Sequence, residues 1–568
     1  MKNRFSTSIM LLLLAPALSQ AQSTRTISYG QYLDKVHGGW VGKAIGLIMG
    51  VPKEFAEPWP PSNFEYYAQI PTHFSDRYSG DDVYLPLVNQ LALKTYGIHA
   101  TQQQYMNEWD ARFFSGRVWV SCENALDLYR AGIKPPKTGF PGYNRNWDDM
   151  CSQIAVDNVG WVTPGLINTA AEMADEVAHV INWGVGADGG VFIAAVYSQA
   201  FFTDDPAELV RRGRAVLPAG SRFGEMLDDV LRLRREQPDW RTTRQILAKK
   251  YHKNLDPKDR TGLVVTGIGT AIGLLYGDGD FAKSMLIAQK CRWDSDCTAA
   301  TVAGVMGTAL GYSRIEARWR LPLHDTYENY CIKGLPRWMT FTDIARDSVE
   351  IGQQVVKEHG GQVSGEGEDR VFVIPTQTPR ALARQEHVTP ELIAQGEREL
   401  LKYYREKLSS VTRDWGPQWT MTIASLETRP EVLLSYMGRS KVLKAQPGPR
   451  GAVLERTVTL APNQHHYLRV GVAHHPTVLC EATGQPEHGS WRLEIQVDGK
   501  KIGGYNVVTQ GGWVVWKDPQ CDLSAFAGKT VRLALVAFQG NPEFYRSSST
   551  AYWSGIEILS LDQPEPWR

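Results

Sequence analysis

The 568-residue sequence predicts a multidomain fold: an all-α domain of ten or more helices, a connecting region, and a C-terminal all-β sandwich of jelly-roll type. Three observations predict it. The chain is longer than the roughly 250–300 residues at which a single core stops growing. Apolar residues recur at helical spacing from Tyr29 to about Gly360. Alternating apolar runs separated by turn residues take over from about Val442 to Leu561. The expected boundaries are 1–21 for a signal peptide, 22–361 for the helical domain, 362–440 for the connection and 441–568 for the sandwich.

The opening residues carry Lys2 and Arg4, an apolar run from Ile9 to Leu18, then small residues at Ser19 and Ala21. This is the pattern of a cleavable export signal cut after Ala21. The run is too short for the roughly 20 apolar residues that span a bilayer, and Pro16 interrupts it. The expectation is an extracytoplasmic protein, periplasmic or secreted, with no membrane insertion after cleavage.

Helical periodicity marks Tyr32 to Met49, Val83 to Leu93, Gly165 to Val177, Gly190 to Phe202, Phe223 to Arg234, Thr242 to Lys250, Thr298 to Leu310 and Phe341 to Lys357. Start signals add helices after Thr101 and after Asp204-Asp205-Pro206. Small residues recur in Gly42-Ala44-Gly46-Gly50 and Gly267-Gly269-Gly273, so these helices should approach their neighbours closely. A Gly/Glu-rich stretch from Gly361 to Asp369, a short strand at Val371 to Ile374 and a charged helix from about Pro390 to Ser409 form the connection. Runs such as Trp491 to Val497 and Val531 to Val536, with turns at Asp498-Gly499 and Gly511-Gly512, suggest about eight strands.

Lys plus Arg and Asp plus Glu both total 61, which leaves no net field to attract nucleic acid or acidic lipid. The spacing of the 7 cysteines matches no zinc motif; Cys480 and Cys521 form either a disulfide or a reduced buried pair. Trp491, Trp513, Trp516, Tyr545, Tyr552 and Trp553 either stack on sugar rings or fill the sandwich core.

Two acidic clusters stand at helix starts: Asp81-Asp82, before an apolar helical pattern, and Asp294-Ser295-Asp296-Cys297, before a small-residue helix. Each taken alone reads as a helix cap. Paired carboxylates aimed at one point are also what a hard cation such as Mg2+ requires. A third element is the G-x-A-x-G-x-x-x-G-x-P-x-E spacing of Gly42 to Glu54, which stops a tightly packed helix at Pro52 and leaves Glu54 on the following loop.

In this order, and with Ile133-Lys-Pro-Pro-Lys-Thr-Gly139, Gln153-Ile-Ala-Val-Asp157, Pro164-Gly165, Ala178-His-Val-Ile-Asn182 and Gly189-Gly190 between them, these elements resemble the ADP-ribosylglycohydrolase family, which includes the dinitrogenase-reductase-activating glycohydrolases. The resemblance covers roughly Tyr29 to Gly361. It implies a helical cleft with a centre of two Mg2+ or Mn2+ ions, ligated here by Asp81, Asp82, Asp294 and Asp296. Gly80, Val83 and Cys297 replace the hydroxyl residues of the family's motifs, which implies one weakened metal position. Glu54 falls at the position implicated in activating substrate or water, with Asp157 as a further catalytic candidate. Asn182 and Cys297 are implied substrate contacts. The expected activity is cleavage of a ribosyl or other furanosyl linkage on a carbohydrate or ADP-ribose-like substrate. The alternatives are an ADP-ribosyl-protein hydrolase and a weakly active sugar- or nucleotide-binding protein.

Overall fold

The computed structural model describes residues 23–53, 70–77, 80–113, 117–251, 263–384, 386–423, 430–445, 452–474, 491–507, 516–539 and 550–564. The expected signal peptide, Glu54, Cys480, Trp513 and Tyr545 lie outside the described residues, and with Cys480 goes its pairing to Cys521.

The helical domain is organised around its first helix, Tyr29–Gly50. Ser28 and Gln31 close a capping box at its start, so the sequence itself fixes where it begins. Nearly every position after Val36 is buried, which places the helix inside the domain rather than on its surface. Its main partner is Ser295–Leu310, a helix equally rich in small residues. A Cβ at Gly38, Gly42 or Gly46 would stand 2.3, 2.3 and 2.2 Å from the carbonyl oxygens of Gly307, Ala303 and Ala299. These glycines recur every four residues and therefore share one helix face, along which the two backbones touch. The expected close approach is thus met at the position that matters most, where both helices bring their ends to one place.

Helices Asp81–Tyr96, Asp157–Val162, Ile167–Ile181, Val185–Ala200 and Phe341–Glu358 pack around this pair. Among the described residues the domain is helical apart from two small three-stranded sheets. One orders Thr24–Ser28, Val371–Pro375 and Gln362–Ser364, and so takes 362–375 out of the connection and into the helical domain. The other joins Phe74–Ser75, Thr326–Glu328 and Trp338–Thr340. Strands this short carry too little alternation to be read from sequence.

A strap after Pro375 crosses the helical domain. Arg384 pairs with Asp175 and Asp188 at 2.7 Å each, and Glu386 bonds His179 at 2.9 Å. Helix Pro390–Trp415 follows, placing Leu400 and Tyr404 against Leu128, Ile133 and Tyr143.

The C-terminal domain is a sandwich of two antiparallel five-stranded sheets. One runs in the order Lys500–Val507, Trp491–Val497, Thr530–Gln539, Ala452–Thr459, Thr420–Ile423. The other runs Gln520–Asp522, His465–His474, Ala551–Leu561, Arg439–Ala445, Glu431–Tyr436. The sheets meet face to face through Leu454, Trp491 and Leu535 on one side and Leu468, Val472 and Trp553 on the other. Three strands begin before residue 441, so the sandwich starts near Thr420 and the connection is shorter than expected. Trp491 and Trp553, 1% and 0% exposed, fill the interior, and Tyr552, 2% exposed, is buried on the other face of its sheet, stacked on Tyr436 at 3.9 Å; none of the three is open as a sugar platform.

Candidate metal centre

The centre lies where two helix N-termini meet the C-terminal end of the first helix. Asp81 and Asp82 open helix Asp81–Tyr96, with Gly80 as the cap residue. A Cβ on Gly80 would stand 2.6 Å from the Asp76 Cβ, so no hydroxyl residue fits there without displacing Asp76. Asp76 is itself fixed, accepting from Tyr327 Oη at 2.7 Å and Tyr330 N at 2.6 Å. Val83 is 0% exposed and belongs to the core.

Asp294 caps helix Ser295–Leu310 and Asp296 sits in its first turn. Arg292 and Trp293 precede it, both with φ of 64°, a left-handed conformation that is costly for side chains of this size. The Arg244 guanidinium lies 3.6 Å from the centre of the Trp293 ring and donates to Cys291 O at 2.7 Å, which holds the turn. The position of Asp296 is set from the other side by Gly50, whose missing Cβ would stand 2.2 Å from the Asp296 Cα. Ser295 Oγ donates to Gly50 O at 2.9 Å and closes the junction.

The structure therefore brings Asp82 and Asp296 to one point, with Asp81 and Asp294 beside Asp296. Ligand atoms of Asp82, Asp296 and Cys297 lie within 4.8 Å of one another. Burial, and next the charge of Asp296, pushes Asp81 up to about 7. Burial also raises Asp82 and Asp296, the latter opposed by a hydrogen bond with Asp294. Such crowding is what a bound cation relieves. The donor set passes the same test: Asp296 Oδ1 is buried with no hydrogen-bond partner, and Asp82 Oδ1, also without one, has the Lys43 ammonium 3.7 Å away as its counter-charge, so Asp296 Oδ1 is the oxygen left for a hard divalent ion. Cys297 faces the same point as a thiol, its pKa raised well above the usual by burial and the surrounding carboxylates, and donates to Asp82 Oδ2 at 3.3 Å.

Two expected residues stand apart. Asp157, 0% exposed, is the counter-ion of Lys43, whose Nζ lies 2.9 Å from its Oδ1, and it faces no solvent. Asn182 is spent on the protein: its amide oxygen accepts from Ser152 N at 2.9 Å and its nitrogen donates to Asp149 Oδ1 at 3.0 Å. Burial of Asn182 in this network leaves nothing of it for a substrate contact.

Sequence reasoning missed Lys43, Asp76 and Asp149. Lys43 had a visible signal, being the one Lys, Arg, Asp or Glu between Val36 and Pro52. A lone charge in a run that must be buried requires a partner. Burial would lower its pKa, but Asp157 and Asp82 outweigh burial and hold it raised. Asp76 had none, since its bonds are made to loop backbone as far as 254 residues away, and Asp149 showed only a local turn to Cys151 N, its tie to Ser121 N at the start of another helix being invisible in sequence.

Among known proteins, the ADP-ribosylglycohydrolase pattern matches residues 29–352 of the chain, more than half of it. No curated protein matches the chain. Similar solved structures include an ADP-ribosylglycohydrolase-related protein complex, 15% identical, covering 57% of this chain and 99% of its own, with a TM-score of 0.38. Another is a glycoside hydrolase family 43 arabinoxylan arabinofuranohydrolase from Bacillus subtilis, 9% identical, covering 35% of this chain and 36% of that one, with a TM-score of 0.17. At these scores the structural likenesses carry no weight, and the sequence pattern alone assigns the relationship.

Proposed function

The chain belongs to the ADP-ribosylglycohydrolase family, and we propose that it is a metal-dependent glycoside hydrolase acting on a ribosyl or other furanosyl linkage outside the cytoplasm. The observation that carries this reading is the convergence of Asp82, Asp296 and Cys297 within 4.8 Å, with Asp81 and Asp294 beside them and Asp296 Oδ1 without a hydrogen-bond partner. A divalent ion held there, Mg2+ or Mn2+ by the hardness of the ligands, would supply Lewis-acid polarisation of sugar hydroxyls and water.

The chain's own residues do the remainder. Asp82 and Asp296 are fixed by buried helix starts and present their oxygens with little reorganisation, the condition under which electrostatic stabilisation is strongest. Asp81, half-buried beside them, is the carboxylate of the first cluster that solvent reaches. Glu54, four residues beyond Gly50 in sequence, is the proposed proton-transfer group at the anomeric carbon, where an oxocarbenium-like state develops. The export-signal pattern read in residues 1–21 supports a glycan rather than a nucleotide as substrate. Among the described residues no helix is long and apolar enough to cross a membrane.

The family name favours a second reading, removal of ADP-ribose from a protein. Gly80, Val83 and Cys297 in place of oxygen donors favour a third, a cleft that binds a sugar or nucleotide and turns it over slowly. A panel of furanosides, pentosides and ADP-ribosyl substrates, assayed with and without Mg2+ and Mn2+, separates the three. Metal binding and turnover are then measured on Asp294→Asn and Glu54→Gln. The proposal requires the first to lose the ion and the second to keep it while losing turnover; an Asp294→Asn protein with unchanged metal affinity overturns the ligand assignment.

A further inference from the structure

We propose that the Lys43 ammonium takes the place of a second divalent cation, so that the acidic centre holds one metal ion per chain. This rests on the metal-dependent reading above and sharpens it.

Lys43 is 0% exposed and projects from the middle of the first helix into the carboxylates, not away from them. Its Nζ lies 2.9 Å from Asp157 Oδ1 and 3.7 Å from Asp82 Oδ1, and all three side chains are sealed from solvent. A lysine ammonium is a compact, strongly hydrated charge. It is buried without water only where carboxylates replace the water, so Asp157 and Asp82 are already a cation site and the cation is part of the chain.

What else surrounds Asp82 points the same way. The Cys297 thiol donates to its Oδ2, so Asp82 meets an ammonium on one oxygen and a thiol hydrogen on the other. Those groups suit a carboxylate and repel a dication. Neighbouring positions add no oxygen donor: Gly80 has no side chain and Val83 lies in the core. The carboxylate oxygen that a second divalent ion would share with Asp82 on this side, Asp157 Oδ1, is held by Lys43 at 2.9 Å. Toward Asp296 the situation is reversed: Asp296 Oδ1 has no hydrogen-bond partner and the carboxyls of Asp81 and Asp294 lie beside it. Among the described residues one convergent group of ligand atoms is found, Asp82, Asp296 and Cys297, which is room for one ion and not for two.

The test counts ions directly. The full chain, stripped of metal and titrated with Mn2+, is examined by calorimetry and electron paramagnetic resonance, and Mn2+-loaded crystals by anomalous scattering. One ion per chain, the six-line spectrum of isolated Mn2+ and a single anomalous peak with Lys43 across Asp82 from it are the expected results. Two ions with an exchange-coupled spectrum overturn the inference and leave the metal-dependent reading standing; no bound ion overturns that reading as well. Lys43→Ala should raise the count from one to two, while Lys43→Arg keeps it at one. A folded Lys43→Ala protein that still binds one ion sinks the replacement, and if that variant does not fold, the count and the anomalous map of the unaltered chain still decide.

Discussion

Lys43 Nζ stands 2.9 Å from Asp157 Oδ1, with neither side chain exposed, beneath the carboxylates of the candidate centre. Removing one member of such a pair leaves a buried charge alone, at a cost of about 3–5 kcal/mol. Lys43→Met and Asp157→Leu should each destabilise the helical domain by that amount in chemical denaturation. The double variant should cost clearly less than the sum, because it leaves no orphan charge; additive losses would mean the two groups do not interact.

Gly50 sets the position of Asp296. Because a Cβ there would stand 2.2 Å from the Asp296 Cα, Gly50→Ala must push the two helix ends apart. We expect a loss of about 1–3 kcal/mol in stability and at least a tenfold loss in Mn2+ affinity, about 1.4 kcal/mol. Gly30, on the same helix with nothing within 4 Å of its Cβ position, is the control. Gly30→Ala should leave metal affinity unchanged and stabilise the helix by about 0.5–1 kcal/mol.

Asp81 gives metal binding a pH dependence. With its carboxyl pushed up to about 7 by burial and by Asp296, a proton competes with the cation below neutrality. Affinity for Mn2+ should fall between pH 8 and pH 6, with proton release on binding detectable by calorimetry in buffers of different ionisation enthalpy. In the metal-free protein the sign is opposite for stability. A carboxyl whose folded pKa is raised favours folding at low pH, and that advantage disappears as pH rises through about 7.

Added cation should stabilise the folded chain by mass action, about 2.7 kcal/mol at one hundred times its Kd. Thermal unfolding with and without chelator measures this. Asp296→Asn, checked for folding by circular dichroism, should abolish the shift; a shift that survives in this variant removes Asp296 from the ligand set.

The strap after Pro375 carries its own pH signature. His179 is buried, and although burial alone lowers its pKa, the hydrogen bond it donates to Glu386 and the charge of Asp175 hold it raised. A histidine raised on folding stabilises fully below its ordinary value near 6.5, and that contribution is lost as pH climbs through the raised value. The melting temperature should therefore decline from pH 6.5 upward, and His179→Gln should flatten the decline.

Much of this molecule was legible in its sequence. The first helix is announced by its period, by Ser28 and Gln31 at its cap, and by the four-residue spacing of Gly42, Gly46 and Gly50, all local properties of backbone and side chain. The alternation of Trp491 to Val497 likewise follows from the two-residue period of a strand with one buried face. Asp81-Asp82 and Asp294-Ser295-Asp296 were visible as acidic helix starts, and the family order brought them to one site before any coordinates did.

What only the tertiary structure decided is which groups those carboxylates meet. Lys43 is 114 residues from Asp157 in sequence, and nothing in either segment states that a helix–helix contact without Cβ atoms would carry the ammonium into the cluster. The same holds for Gly80, whose lost hydroxyl is explained by Asp76 lying against it, and for Asn182, which a loop network consumes. The sandwich boundary near Thr420 was likewise invisible, because a four-residue strand is recognised by the partner it pairs with, here Ala452 to Glu455. Local periodicity fixes the elements; the charges of a buried centre are set by contacts between elements, and those depend on how closely the backbones come.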